Sequence, residues 1–288
     1  MSSRLTLAST SARQMGMALI AVLWMVAFLS ITVMSITRSI RLETRAAALA
    51  WQEVQAEALG DGALQIALQT LTATPQTVSQ MTQAEITYQG VTMQVEIMPL
   101  NGLVDINSAG PVLLERTFTV AGGLSEQAAQ AAAQAVIEAR NRRDAQGREQ
   151  RFEAEEDLLQ VPGFDYDLYA RLAPLLTADL RGSGRVNPLA APVEVLTILS
   201  GGNAAAAAQI AVGRNAGAVG VDTSSLDGSL IDNASTRTLR LQARVPLVDG
   251  TVVRVSRSVE LSARTTDGAP WHTFRTSTNV EPLPRKTS

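Results

Sequence analysis

Two groups of carboxylates are the residues whose type and spacing could do chemistry. Asp165 and Asp167 stand two residues apart, and Asp222, Asp227 and Asp232 follow in the segment DTSSLDGSLIDN. Carboxylate oxygens are the hard ligands that calcium takes, so both groups are calcium candidates. Neither group has the spacing of an EF-hand loop. The alternative is that these side chains are solvated at helix ends and turns, and no other cofactor is expected.

The chain has few residues that could support other catalytic or metal-binding chemistry. The single histidine, His272, and the absence of cysteine exclude His-rich metal sites, thiol nucleophiles and Cys-based zinc sites. The segment RGSGR at 181–185 lacks the Lys-Ser/Thr pair of a P-loop and follows no clear strand, so we interpret it as a linker. Paired carboxylates could serve acid–base chemistry, yet the expectation is a protein that is not an enzyme.

The first structural element that the sequence predicts is a helix formed by an apolar run near the N-terminus. Residues 14–37 carry no charge, and about 20 apolar residues are enough to cross a bilayer core as a helix. A cleaved secretory signal has a shorter apolar region, of about 7–15 residues, and a small-x-small site that SITRSIRLETR does not offer. The run therefore predicts a transmembrane helix over 17–37. Arginines on both sides leave its orientation open.

The helix is predicted to continue well beyond the apolar run. No proline occurs before Pro75, and the intervening segment is rich in Ala, Leu, Gln and Glu, which favour helix. One near-continuous helix from about Met17 to about Ala73 is expected, with residues 38–74 beyond the membrane. The alternative is an anchor and a separate helix, broken at Gly60–Gly62.

Strands are predicted further along the chain. Apolar and polar residues alternate at Val91–Ile97, Leu239–Val245 and Val253–Leu261, with turn signals at Gln89–Gly90 and Asp249–Gly250. The residues between these strand regions favour helices and loops. The predicted fold is α+β, with a long N-terminal helix packed on a small antiparallel sheet. The sheet is assigned to 84–104 and 236–280, and a large α-helical domain to the insertion at 105–235.

The predicted insertion contains a weak internal repeat. Each copy has an asparagine, Asn107 or Asn187, then Pro-Val, a leucine-bearing helix, a glycine pair and an alanine-rich helix. An asparagine before proline is typical of a capped helix start. The segment RFEAEEDLLQVPGFDYDLYARLAPLLT between the copies predicts another pair of short helices, turning at Pro162–Gly163.

The junction RQMG|MALIA resembles a prepilin-type signal. Residues 1–16 form a short, polar, basic leader that ends in Gly16, and the apolar helix starts immediately after it. The resemblance implies that a prepilin peptidase cleaves between Gly16 and Met17 and methylates the new N-terminus at Met17. Most pilins and pseudopilins carry Glu at the fifth mature position, where this chain has Ala21. The missing Glu would suit a subunit at the end of the filament.

Four features follow one another along this chain: the leader, the long helix without that Glu, the split sheet and the inserted repeats. In this order they resemble the K-type minor pseudopilins of type II secretion systems. The resemblance implies a non-enzymatic subunit that caps the tip of the pseudopilus and primes its assembly for protein export across the outer membrane. It also implies a single-pass protein of the bacterial inner membrane, with a cytoplasmic N-terminus before processing and a periplasmic C-terminal domain. Some K-type members bind calcium in the inserted domain.

The implied partners are the I- and J-type minor pseudopilins, the major pseudopilin, the prepilin peptidase and the inner-membrane assembly platform. The subunits would pack their N-terminal helices side by side. The expected helix-packing residues are Leu19, Val22, Leu23, Val26, Leu29 and Val33.

DNA binding is the main alternative, because the repeats also resemble helix-hairpin-helix units, which grip phosphate through backbone N–H groups. Asp165 and Asn203 stand where such a hairpin would have its second glycine, and the segment Glu138–Asp157 is acidic overall. The whole chain has a net charge of −3. A membrane-anchored DNA-uptake protein is therefore the less favoured interpretation, and a nucleic-acid partner is not expected. A minor subunit of a type IV pilus is a further alternative, since the leader is shared.

Overall fold

The computed structural model describes residues 11–73, 78–143, 147, 149–217, 220–247, 250–262 and 268–281. Within the first helix, the side chains at 11–18, 31–33, 35–42 and 45–46 lie outside the described part. The chain forms two compact units, Met1–Gln55 and Ala56–Ser288. Helices are combined with an antiparallel sheet, so the fold is α+β.

The N-terminal helix, α1, runs from Ser11 to Ala73. It passes Gly60 and Gly62 without interruption, so the prediction of one continuous helix is confirmed and the alternative of a break is wrong. The helix begins before the predicted start at Met17, because the last residues of the leader are helical as well.

The second unit contains a five-stranded antiparallel sheet with the order β1-β2-β5-β6-β7. Its strands are β1 Thr82–Tyr88, β2 Val91–Pro99, β5 Thr238–Pro246, β6 Val252–Leu261 and β7 Trp271–Glu281. A short parallel pair is formed by β3 Val104–Asp105 and β4 Leu176–Thr177. The strand predictions at 91–97, 239–245 and 253–261 are confirmed, and Gln89–Gly90 turns as predicted. Asp249 of the second predicted turn lies outside the described residues.

One face of this sheet packs against the C-terminal part of α1. The register aligns Val95 of β2 with Ala243 of β5, and Ala243 with Val255 of β6. Because side chains alternate across a strand, every second residue on these strands points towards the helix. The residues of α1 that are buried in this core are Ala56, Ala63, Leu64, Ala67 and Leu68.

Gly60 allows α1 to approach β5 and β6 closely. A Cβ atom at this position would lie 2.5 Å from Cγ2 and 2.8 Å from Cβ of Val255, and 3.2 Å from Cγ2 of Val245. Both valines are fully buried, so neither can move without disturbing the close-packed core. A helical glycine costs about 0.5–1 kcal/mol relative to alanine, and here the closer packing offsets that cost.

Between Pro99 and Thr238 the chain leaves the sheet and builds a helical layer. Pro99 of β2 is the register partner of Leu239 of β5, so the two ends of this insertion lie side by side. Its α-helices are α2 Pro111–Val120, α3 Glu126–Asn141, α4 Tyr166–Leu172, α5 Val193–Leu199 and α6 Ala204–Asn215. Short 3-10 helices occur at Leu100–Gly102, Glu155–Gln160 and Ala173–Leu175. The layer has its own core, in which Phe118 meets the ring of Phe164 edge to face.

One local prediction for the insertion is wrong and another is confirmed. Asn107 and Asn187 do not cap helices, because α2 follows Gly110 directly and α5 follows Pro192, with no side-chain cap in either case. Pro111 occupies the first turn of α2, where its missing N–H removes one of the donors that a cap would satisfy. The short helix pair predicted to turn at Pro162–Gly163 is confirmed: a 3-10 helix, Glu155–Gln160, precedes the turn and α4 follows it.

Replacing Gly60 with alanine should destabilise the second unit. The added methyl group would overlap Val255, and overpacking of a core costs about 1–3 kcal/mol, more than alanine contributes through helix propensity. We expect urea unfolding of the full chain in detergent, followed by circular dichroism, to show a loss of about 1–2 kcal/mol.

Gly213→Ala, within α6, is the matched control, because its added Cβ would meet only Cγ1 of Val221, at an ordinary contact distance of 3.7 Å. The double variant Gly60→Ala/Val255→Ala should be less destabilised than the sum of the single variants. Equal gains in stability for both glycine variants would contradict the close contact.

Candidate functional site

An apolar stretch of α1 is exposed in the first unit. Five of the residues predicted to pack between subunits are exposed over more than half of their surface: Leu19, Val22, Leu23, Val26 and Leu29. Trp24 and Phe28 are exposed between them, so apolar side chains surround the helix. A helix that is apolar all round is normally buried, in a protein core or in a membrane. This stretch therefore requires an apolar environment that the described residues do not supply.

The hydroxyl group in this stretch is satisfied within the helix. Ser30 Oγ donates to the carbonyl oxygen of Val26 at 2.8 Å, so the hydroxyl needs no water. Ala21, which occupies the position where most pilins and pseudopilins have Glu, is exposed. Residues 19–30 can therefore enter an apolar environment without an unpaired hydroxyl or a carboxylate.

The predicted cleavage site lies within the helical backbone of α1, since the helix begins at Ser11. The structure describes the backbone of Gly16, Met17 and Val33 but not the surroundings of the Met17 and Val33 side chains. Among the residues that the structure describes, no helix has the length and apolarity needed to span a membrane. The cleavage at Gly16–Met17, the methylation and the span over 17–37 remain predictions.

Polar contacts tie the base of α1 to the sheet next to its apolar core. The guanidinium of Arg257, on β6, lies 2.7 Å from a carboxylate oxygen of Asp61 and 3.5 Å from one of Glu57. Thr278 of β7 donates to the same Glu57 at 3.0 Å. Arg257 is mostly buried, so this pairing is less screened by solvent than a fully exposed one. These contacts fix the rotation of α1 on the sheet.

The first pair of calcium candidates, Asp165 and Asp167, stabilises the N-terminus of a helix. Asp165 is the N-cap of α4, and its carboxylate accepts the backbone N–H of Leu168 at 2.7 Å. Asp167 lies in the first turn of the same helix, where a negative charge is favoured by the helix dipole. Both positions therefore have a local structural role.

The other three candidates each close a turn. Asp222 accepts the N–H of Ser224, Asp227 accepts the N–H and hydroxyl of Ser229, and Asp232 accepts the N–H of Ala234. Hydrogen bonds from the serines lower the pKa of Asp222 and of Asp227. No group of three or more potential His, Cys, Asp or Glu ligands is found in the described part of the chain. The structure therefore does not bring the calcium candidates together.

Asn107 is a hub of the helical layer. Its Nδ2 donates to the carbonyl oxygens of Phe152 at 3.0 Å and Ala178 at 2.8 Å, and its Oδ1 accepts the N–H of Phe152 at 2.9 Å. One side chain thereby holds together two loops that are far apart in sequence.

Asn187 plays the same part where the helical layer meets the sheet. It is almost fully buried, and its Nδ2 donates to the carbonyl oxygens of Ser79 at 2.6 Å and Ala234 at 3.3 Å. Its Oδ1 accepts the N–H of Leu189 at 3.0 Å. Ser79 precedes β1 and Ala234 precedes β5, so the repeated asparagines hold loops in place.

A buried ionic cluster joins the helical layer to the open face of the sheet. Glu155 lies 2.8 Å from the guanidinium of Arg275 on β7 and 3.6 Å from that of Arg240 on β5. Asp179 and Glu156 each lie 3.4 Å from Arg275. Glu155 is only 5% exposed, so its charge is removed from water and depends on these two arginines.

Burial dominates the electrostatics of this cluster. It raises the pKa of Glu155 above its usual value and lowers the pKa of Arg240, since both charges are taken out of water. Burial, and then the neighbouring Glu156 carboxylate, raise the pKa of Tyr169 to about 12. The cluster therefore holds ion pairs whose desolvation cost is substantial.

A polar cleft of about 830 Å³ lies beside this cluster. Thr238, Glu260 and His272, which are register partners across β5, β6 and β7, line one side. The segment 181–185 lines the other side. The sequence pattern indicates only a linker here, whereas the segment lines a cleft.

The segment 181–185 is held by close backbone contact. Gly184 has a positive φ of 75°, and a Cβ atom there would overlap the carbonyl oxygen of Ser108. Ser183 donates its hydroxyl to Asp232 at 2.6 Å. The pair of arginines around a Gly-Ser-Gly core was the available sequence signal. The ionic cluster gave no such signal, because Glu155 stands in an acidic run typical of a solvated surface.

No family model matches the chain, and no curated protein matches it. Among solved structures, the chain is similar to a chain in the crystal structure of the GspK-GspI-GspJ complex from the type 2 secretion system of enterotoxigenic Escherichia coli. The TM-score is 0.47 at 15% sequence identity, and the match covers 83% of this chain and 98% of that chain.

Replacing Glu155 with glutamine should change how stability depends on pH. Because the folded-state pKa of Glu155 is raised, its contribution to stability is fully present below the unfolded pKa and is lost as pH rises through the folded pKa. The free energy of unfolding of the native chain minus that of Glu155→Gln should therefore fall as pH rises from about 4 towards neutrality.

The measurement is urea unfolding of the full chain in detergent across this pH range. Glu156→Gln removes one negative charge from the exposed rim of the same cluster and is the control. A difference between native and Glu155→Gln proteins that grows with pH would mean that the ion pairs outweigh burial.

Proposed function

We propose that this protein is a minor pseudopilin of the K type, which caps the tip of a type II secretion pseudopilus and primes its assembly. The observation that carries the proposal is the exposed apolar stretch of α1, Leu19 to Leu29, in a helix that continues to Ala73. The distal part of that helix packs on an antiparallel sheet that is interrupted by a helical insertion. The leader and Ala21 add the sequence resemblance. The function is assembly rather than catalysis.

The apolar stretch would have two successive environments. We place residues 17–37 in the bacterial inner membrane before assembly, on the ground that residues 14–37 carry no charge. Lipid tails are as apolar as these side chains, so association within the membrane gains little hydrophobic free energy. Once the helices leave the lipid, packing against neighbouring helices would bury the same side chains from water, at about 25 cal/mol per Å².

Ala21 determines where this subunit fits in such a filament. The family resemblance implies that Glu at this position pairs with the N-terminal amine of the neighbouring subunit below it. Ala21 is apolar and cannot accept that amine. This subunit then has no acceptor for a subunit amine at its own fifth position, which suits the tip better than the body of the filament.

Processing would require part of α1 to unwind. A peptidase acts on extended backbone, whereas the Gly16–Met17 bond lies in a helical segment. Glycine is about 1 kcal/mol less favourable in a helix than alanine, so Gly16 lowers the cost of opening the helix at that bond. The leader would lie in the cytoplasm, and residues after 37 in the periplasm.

DNA binding is not proposed, because the hairpin turns already use their N–H groups. Asn203 accepts the N–H of Ala206 at 3.1 Å, and Asp165 accepts the N–H of Leu168 at 2.7 Å. These helix-start donors are the groups that a phosphate would take. Salt-sensitive, tight binding to duplex DNA in a gel-shift assay would overturn the proposal. The I- and J-type minor pseudopilins, the major pseudopilin and the inner-membrane assembly platform are the proposed partners.

Coexpression with a prepilin peptidase should remove residues 1–16 and leave a methylated Met17, detected by intact-mass spectrometry. Gly16→Val should block processing, since its branched side chain stiffens the backbone and hinders close approach to the peptidase. Gly16→Ala is the matched control and should be processed. An intact N-terminus in the native chain, or normal processing of the valine variant, would remove this support.

Shortening the exposed apolar side chains should weaken assembly. Leu23→Ala and Val26→Ala each remove apolar surface from the exposed stretch, and each should raise the dissociation constant for the I- and J-type pseudopilins several-fold. Titration of the purified partners in detergent, read by fluorescence anisotropy, measures the change. Gln55→Ala, an exposed change further along α1, is the control. Unchanged affinity for both apolar variants would contradict the proposed packing.

A further inference from the structure

One long edge of the sheet is open among the described residues. β7 pairs only with β6, and it is 11 residues long. Every residue of β7 except Trp271, Arg275 and Glu281 is exposed. An edge strand presents a row of backbone N–H and C=O groups to its surroundings. Natural edges are usually blunted by proline, lysine, a very short strand or a β-bulge. β7 is long and has neither proline nor lysine, and its irregularity is confined to the register shift between Thr273 and Arg275.

The polar cleft adjoins the start of this edge strand. His272 and Phe274 of β7 line the cleft, and both side chains are exposed. The register between β6 and β7 shifts beside Ser258 and Val259, which bends the edge at this point. An extended chain lying along β7 would therefore run directly into the cleft.

Three exposed arginines of the cleft, Arg181, Arg185 and Arg237, have no ion-pair or side-chain hydrogen-bond partner in the described part of the chain. This distinguishes them from many arginines of the second unit. Carboxylate partners lie within 4.0 Å of Arg116, Arg240, Arg244, Arg254, Arg257 and Arg275.

Most carboxylates of the cleft are already engaged. Asp105 accepts from the hydroxyl of Ser108, Asp179 pairs with Arg275, and Asp232 accepts from Ser183. Glu260 is exposed at the rim. Arg275 offsets the charge of Asp179, and the neighbouring Arg140 and Arg151 offset that of Asp105; none of these arginines lines the cleft. Asp232 and Glu260 keep their charges, so the three arginines leave a small positive excess for a ligand.

We propose that β7 and the cleft together bind an extended, acidic segment of a partner protein. The segment would add a strand to the free edge of β7, because main-chain hydrogen bonds provide affinity in this mode of recognition. Its carboxylates would pair with Arg181, Arg185 and Arg237. A peptide fits better than a nucleic acid, since only a polypeptide offers alternating N–H and C=O groups at the spacing of a strand edge. The proposal uses only residues of the second unit and does not depend on the proposed function.

Binding of synthetic peptides to the full chain in detergent tests the proposal. The probe is a fluorescein-labelled peptide of 11 residues, the length of β7, with alternating valine and glutamate. We expect fluorescence anisotropy to show binding that is at least about tenfold tighter than for the same peptide with lysine in place of glutamate. Methylation of every second backbone nitrogen keeps the charge and removes the donors, and it should abolish binding.

The triple variant R181Q/R185Q/R237Q should weaken binding of the acidic peptide by about tenfold or more. R142Q/R143Q, which changes two exposed arginines outside the cleft, is the control and should bind as the native chain does. Equal binding of the acidic and basic peptides, binding that survives backbone methylation, or displacement by duplex DNA would each overturn the proposal. Dimers of this chain crosslinked through β7 would also overturn it, because a second copy would then occupy the edge.

Discussion

The contact between Gly60 of α1 and Val255 of β6 is the constraint on which the second unit depends. The helix can reach the valines only because no Cβ intervenes, and this close approach buries Leu64 and Leu68 on the sheet. Arg257 then fixes the rotation of α1 about its own axis, since its partners Asp61 and Glu57 lie on the same face of the helix.

Polar groups help to fasten the helical layer to the sheet, beside the apolar packing of Met98 of β2 in the core of the layer. The apolar clusters of the sheet and of the layer are distinct, and Asn187 and the Glu155 cluster bridge them. Hydrogen bonds and ion pairs are directional, whereas apolar packing tolerates sliding. A layer held in this way keeps a defined orientation, and that orientation sets the shape of the cleft between 181–185 and the sheet.

Sequence patterns succeeded where the cause is local. Alternation at Val91–Ile97 predicted β2 because one face of the sheet is buried, and helix propensity predicted α1. Gly60 looked like a helix breaker, because propensity takes no account of the valines across the interface. Asn107 and Asn187 have the sequence pattern of helix caps, but their side-chain amides donate to loops 45 to 108 residues away, which no local pattern reveals. The aspartates resemble calcium ligands in the sequence, whereas Asp165, Asp222, Asp227 and Asp232 each accept an N–H group two or three residues further along the chain.

The side-by-side positions of Pro99 and Leu239 have a consequence for how such a protein can vary. To the sheet, everything between these residues is one long hairpin loop, and the entropy cost of closing a loop grows only slowly with its length. The helical layer can therefore be enlarged, reduced or exchanged while the strand pairing and the packing of α1 on the sheet stay the same. In such a scaffold the sheet and α1 are constrained by each other, whereas the inserted helical layer is free to diversify.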